Sequence, residues 1–197
     1  MRALRELSSA RDGVTVVEFA LVLPVLMIVV FGLFDLAYNM YTAQMLQGAL
    51  QKAARDSTIE GADTHEATLD QRVITAVRAI APGARIEFDR RSYSNFTGVN
   101  RPEDYTDVNA NNTCDDGEPY EDANGNGSWD IDPGRTGFGG ARDAVLYTAT
   151  ITYKRPFPIV SFIPGQTGDF TLVANTVLRN QPYGLQDTTP PRTGNCT

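Results

Sequence analysis

The sequence predicts an α+β protein. A long N-terminal transmembrane helix packs its outer half on a small antiparallel sheet, with a second helix and an inserted, strongly acidic loop segment. Three observations predict this layout. Residues 14–34, VTVVEFALVLPVLMIVVFGLF, form an apolar run. Sequence rich in Ala and Gln and free of Pro then continues to Asp56. Two later segments alternate apolar and polar residues with period two, as strands do.

The apolar run is long enough to cross a bilayer, whose ~30 Å core needs ~20 residues, only if Glu18 lies within it. Arg2, Arg5 and Arg11 precede the run and predict a cytoplasmic N-terminus with the remainder outside the inner membrane. A cleaved secretory signal would need a small-x-small site after the apolar core, and FDLAYNMYTAQ offers no good one. A plain anchor leaves Glu18 unexplained, because a carboxylate within a span costs ~2.5–3.5 kcal/mol and calls for a partner. Cleavage after Gly13 supplies one. Val14 becomes a new amino terminus, and Glu18 stands about one helical turn from its positive amine or can meet that of a neighbouring subunit. Pro24, inside the span, is a tolerated kink or a bend that aids helix packing.

Beyond Asp35, apolar or small residues recur at Leu36, Met40, Ala43, Leu46, Leu50 and Ala54, near helical spacing. A helix from Val14 to Asp56 is about 64 Å long at ~1.5 Å per residue, so roughly half projects from the membrane. Met40 and Met45 read as core fillers of that projecting stripe, with contact to a partner as the alternative.

Residues 62–80 predict a second helix, with Leu69, Val73, Ile74, Val77 and Ile80 on one face and Pro82-Gly83 as its stop. Residues 84–91 predict a strand through Ile86 and Phe88. The strongest strand has Val145, Tyr147, Ala149, Ile151 and Tyr153 on one face, and residues 169–180 predict another. Ile159 to Ile163 read as an apolar loop or short helix. The Pro, Thr and Gly content of residues 181–197 predicts a flexible tail.

The net charge is -7, which argues against non-specific nucleic-acid binding. The acidity is local. Pro102 to Gly134 holds ten carboxylates and no Lys or Arg. Within the acidic insertion, residues 103–135, residues 107–118 repeat as 122–133 at an offset of fifteen. The DxNxN spacing matches calcium loops, in which alternate residues of a tight turn direct oxygens inward. In the first loop Asp107, Asn109, Asn111, Asp115 and Glu118 are candidate side-chain ligands and Thr113 gives its carbonyl. In the second, Asp122, Asn124, Asn126 and Asp130 take these roles, Ser128 gives a carbonyl, and Gly127 fills the sharp-turn position. Two departures stand out. Asn112 occupies the first loop's glycine position, and Pro133 stands at position 12 of the second, so Asp132 or a residue elsewhere must complete that shell. Neither loop is flanked by clear helices, which excludes a true EF-hand domain. The expectation is one or two Ca2+ ions, against a solvated Asn/Asp/Gly loop. Trp129 reads as a packing anchor, with surface recognition as the alternative.

Cys114 and Cys196 are the only cysteines, too few for a disulfide scaffold. On the oxidising side of the membrane they would bridge the tail to the first loop, or else stay unpaired or pair between molecules. His65 is the sole histidine and starts a polar helix, so His-based catalysis is excluded in practice. No GxSxG, HExxH or phosphate-binding glycine loop is present, and Gly137, Gly139 and Gly140 precede a strand rather than a helix. The sequence reads as non-catalytic.

Gly13, Glu18, Pro24, Asp35 and Ala54-Arg55 stand in a pattern that resembles the TadE-like family, minor pseudopilins of the tight-adherence (Flp) pilus system. The resemblance covers residues 13–55. Asp35 stands where relatives often carry Glu, and the length favours TadE or TadF over TadG. The resemblance implies cleavage after Gly13 by a prepilin peptidase, single-pass insertion in the inner membrane with a periplasmic C-terminal domain, and a place in pilus assembly, with incorporation into the extracellular pilus left open. Its partners would be other minor pseudopilins, the major Flp pilin and the inner-membrane platform. The other reading is a membrane-anchored calcium-binding adhesin, which needs no cleavage.

Overall fold

The structure is a computed structural model and describes residues 12–57, 66–157, 165, 167–180 and 190–197. The leader up to Arg11, His65, Ile159–Ile163 and the tail from Gln181 to Thr189 lie outside the described residues.

Helix α1, Asp12–Ser57, is continuous over 46 residues and runs through Pro24. Its length is ~69 Å at ~1.5 Å per residue. Pro24 lacks the amide that would bond back one turn, a loss the surrounding apolar helix tolerates. Among the described residues α1 is the one helix long and apolar enough to cross a membrane, and none of its apolar window is buried. Helix α2, Glu66–Arg78, buries Leu69, Val73 and Val77 and ends in the turn before Pro82. Ile74 and Ile80 are half-buried.

Among the described residues six strands follow: β1 Arg85–Tyr93, β2 Pro119–Asp122, β3 Arg135–Thr136, β4 Ala144–Lys154, β5 Asp169–Arg179 and β6 Arg192–Asn195. The main sheet has the order β3-β1-β4-β5, and β2 pairs with β6 in a second sheet. β1 and β4 run antiparallel from Arg85 opposite Thr152 to Tyr93 opposite Ala144. The acidic insertion therefore interrupts the connection between two directly paired strands. β4 buries Val145, Tyr147, Ala149, Ile151 and Tyr153, as its alternation predicts.

Contacts divide the chain into two compact units, residues 1–41 with 154–170 and residues 42–153 with 171–197. In the second unit α1 buries Leu46, Leu50, Ala53 and Ala54. Gln47 Nε2 donates to the Asn175 carbonyl of β5 at 3.2 Å, and Arg72 of α2 pairs with Asp56 at 2.6 Å. Inside the sheet layer Arg90 is buried. Its guanidinium pairs with Asp70 of α2 and lies 4.2 Å from the Tyr147 ring centroid and 5.0 Å from that of Phe138. Tyr147 also donates to Asp70. Burial first, then this hydrogen bond, raises the Tyr147 hydroxyl pKa well above its ordinary value.

Two expectations are corrected. The apolar stripe counted from Leu36 is buried only in its outer part, at Leu46, Leu50 and Ala54. Leu36 is 56% and Met40 60% exposed, while Asp35, Asn39 and Thr42 are buried. Met45 is exposed as well, so neither methionine fills the core. The reason is chemical: Asp35 has partners of its own, described below, that turn its face inward. The second correction concerns the C-terminal segment, where Arg192–Asn195 form a strand rather than a flexible end. Gly194 makes this pairing possible, since a Cβ there would meet the Tyr120 ring at 2.4 Å.

Candidate functional site

Two places combine the residues singled out above. The first is the N-terminal helix. Gly13 and Val14 lie in its first turn. Glu18 is exposed on it, among the exposed apolar side chains Val16, Val17 and Phe19. Where the apolar run ends, Asp35 is buried and its Oδ2 accepts from Asn39 Nδ2 at 2.9 Å and from Arg155 Nη1. Arg155 follows β4, 120 residues later in the chain. The Arg155 guanidinium also lies 4.5 Å from the Phe170 ring centroid, and Phe157 stacks on Phe31 and Phe34 with centroids 6.3 and 5.9 Å apart.

The second place is the acidic insertion. In the first loop the Asp107 carboxylate accepts from the Asn111 and Asn112 amides at 3.2 and 2.9 Å. Asn109 Nδ2 and Asn111 Nδ2 both donate to Asp115, at 3.1 and 2.9 Å. The second loop repeats this at the fifteen-residue offset. Asp122 accepts from the Asn126 and Gly127 amides at 3.1 and 2.9 Å, and Asn124 and Asn126 donate to Asp130 at 2.7 and 2.6 Å. Thr113 and Ser128 each donate a backbone amide to the Asn two residues before, at 2.8 and 2.7 Å. Asn112 and Gly127 take the same left-handed conformation, φ 60° and 81°, so Asn serves where Gly is preferred.

Glu118 is buried, and its Oε1 accepts from Val108 N at 2.6 Å while Oε2 accepts from Asp115 N at 3.4 Å. It thus fastens the two ends of the first loop by amide hydrogen bonds. The second loop has the same clamp in Glu103, whose oxygens accept from Ala123 N at 2.8 Å and Asp130 N at 3.0 Å. Asp132, the expected candidate, turns away. It accepts from Arg91 Nη1 at 2.6 Å and from the Tyr93 hydroxyl at 2.7 Å, a pull that leaves it no part in the loop.

Glu103 was legible through the repeat. Residues 103–107, EDYTD, align with 118–122, EPYED, at the same offset. Each repeat therefore begins with a glutamate, and each glutamate closes the loop of the other repeat. The two repeats meet at an antiparallel bridge between the equivalent Tyr105 and Tyr120. Thr106 N donates to Pro119 O at 2.9 Å and Glu121 N to Asp104 O at 2.8 Å, an exchange between equivalent positions. The insertion is one reciprocal pair of loops, not two independent ones. Trp129 packs edge-on against Tyr105 and donates to the Glu103 carbonyl at 2.9 Å, as a packing anchor would. Its equivalent in the first loop, Cys114, is bonded to Cys196.

Burial raises the Glu103 pKa, with Asp130 and Asp122 nearby adding to the effect. Among the described residues no group of three or more His, Cys, Asp or Glu side chains stands together to hold a metal ion. Backbone amides take up the carboxylates of Asp107, Asp122, Glu103 and Glu118, and Asn amides stand against those of Asp115 and Asp130. A cation would enter by turning carboxamide oxygens toward the loop centre, which Asn can do because it presents an oxygen or a nitrogen on the same frame.

No curated protein and no solved structure matches the chain. Residues 13–55 match the model of the family described as TadE-like protein. That segment contains Gly13, Glu18, Pro24 and Asp35, and over it the chain is similar to the TadE-like proteins.

Proposed function

We propose that this protein is a non-catalytic component of tight-adherence pilus assembly, a minor pseudopilin released from its leader by prepilin peptidase after Gly13. The observation that supports this most is the match over residues 13–55, in which a carboxylate, Glu18, stands exposed within an otherwise apolar and unburied helix. In lipid such a group needs a counter-charge. The amine of Val14, freed by cleavage, provides it within the same chain or from a neighbouring pilin helix. The domain beyond the membrane then projects from the inner membrane on the periplasmic side. A Glu18→Ala variant is expected to insert in the membrane normally and to fail in co-assembly with other pilins. Normal piliation in that variant would refute this role.

The reading extends to the reciprocal loops as calcium sites, one ion in each. Their support is the donor chemistry: carboxylate, carboxamide and carbonyl oxygens at alternate positions suit a hard cation. A bound cation would relieve the crowding of Glu103, Asp122 and Asp130. For the detergent-solubilised protein, calcium at ten times the dissociation constant is expected to stabilise by about 1.4 kcal/mol per site. This appears as a rise in Tm in thermal unfolding with and without chelator. Asp107→Ala and Asp122→Ala are each expected to remove part of the rise. No rise at millimolar calcium would leave the loops as self-capped turns.

A further inference from the structure

We infer that Phe157, just beyond the end of β4, is a second membrane contact, inserted in the domain-side leaflet of the bilayer beside α1. This rests on the reading of α1 as a spanning helix. Phe157, Arg155 and Phe170 fall in one compact unit with the membrane-side part of α1, residues 1–41. Depth follows from what Phe157 touches. Phe31 and Phe34 occupy the last turn of the apolar run, and Asp35 marks where it ends. A ring stacked on both, at 6.3 and 5.9 Å, lies within about one helical turn, ~5 Å, of the Asp35 level and on its apolar side.

Polar groups at that depth must be satisfied within the protein. The residues beside Phe157 meet this demand. The Arg155 amide donates to the Gly168 carbonyl at 2.9 Å. The Arg155 charge is neutralised by buried Asp35 and covered by the Phe170 ring. Pro156 has no amide hydrogen to satisfy. The guanidinium and the ring two residues later are thus arranged as an interfacial segment requires, with the charge paired at the boundary and the aromatic group below it.

The test is lipid quenching of tryptophan fluorescence in the full chain, reconstituted in phosphatidylcholine vesicles with acyl chains brominated near the headgroup, for Phe157→Trp, or near the methyl end, for the mid-span control. Phe157→Trp is compared with the parent protein, whose Trp129 lies in the loops, and with Leu26→Trp in mid-span. The added emission of Phe157→Trp is expected to fall by roughly half on bromination, as for a ring ~5–10 Å into the acyl boundary. Quenching of Leu26→Trp with none for Phe157→Trp overturns the inference and leaves the spanning helix standing. That outcome would assign the Phe157 surface to a protein partner instead. Quenching of neither overturns the spanning reading, and the inference with it.

Discussion

Reduction of the Cys114–Cys196 bridge is expected to destabilise the domain by about 4–5 kcal/mol, the chain-entropy limit for a loop of this size. The bridge joins residues 82 apart. Its local surroundings suggest that most of this is felt at the second sheet. Cys196 N donates to the Glu118 carbonyl at 2.8 Å, and the Cys196 carbonyl accepts from Gly117 N at 2.9 Å. These bonds align β6 with β2 and hold the short segment bearing the clamp Glu118. Without the bridge, a four-residue strand pair has little else to hold it. Cys114→Ser should lower Tm and speed amide exchange across Pro119–Asp122 and Arg192–Asn195, while β1 and β4 exchange as before. An unchanged melting curve in reductant would show that the β2–β6 pairing stands without the covalent link.

Removal of one partner from the Asp35–Arg155 pair is expected to cost about 3–5 kcal/mol, because the other charge is left buried and alone. Both side chains are largely buried, with Asp35 at 5% and Arg155 at 12% side-chain exposure. Replacing both with apolar residues of similar size should recover most of that loss, since the pair's own desolvation cost disappears as well. Asp35→Leu with Arg155→Met is therefore predicted to melt close to the parent in detergent. Each single substitution should melt well below it and expose the chain after β4 to protease. Equal destabilisation by the single and double variants would mean that the side chains act through packing alone.

The sequence was most informative where a period governs structure. Tyr153 back to Val145 reads as a strand from alternation alone, and Leu69, Val73 and Val77 give the buried face of α2. On α1 the same counting held at Leu46, Leu50 and Ala54 and failed before them. Apolar spacing selected Leu36 and Met40, yet Asp35, Asn39 and Thr42 are the buried residues, because a partner 120 residues away offers Asp35 a charge. No local pattern contains such a partner. The cysteine pairing could only be left open, and the structure forms it. The second loop's closing group was left as Asp132 or a residue elsewhere, because Pro133 stands at its position 12. The fifteen-residue offset carried one motif upstream leads to Glu103, and the hydrogen bonds place it there. Short strands such as β3 and β6 have too few residues for a period to show, and they exist through their neighbours.

Most depends on what happens at Gly13. In the proposed reading, cleavage there creates the amine that gives Glu18 its counter-charge, and it separates a pseudopilin from a simple anchored adhesin. Amino-terminal sequencing of the mature protein from its native membrane tests this directly. The expected sequence begins Val14-Thr15-Val16-Val17-Glu18. A mature protein that retains Met1 to Gly13 would contradict the pseudopilin reading and favour the anchored adhesin.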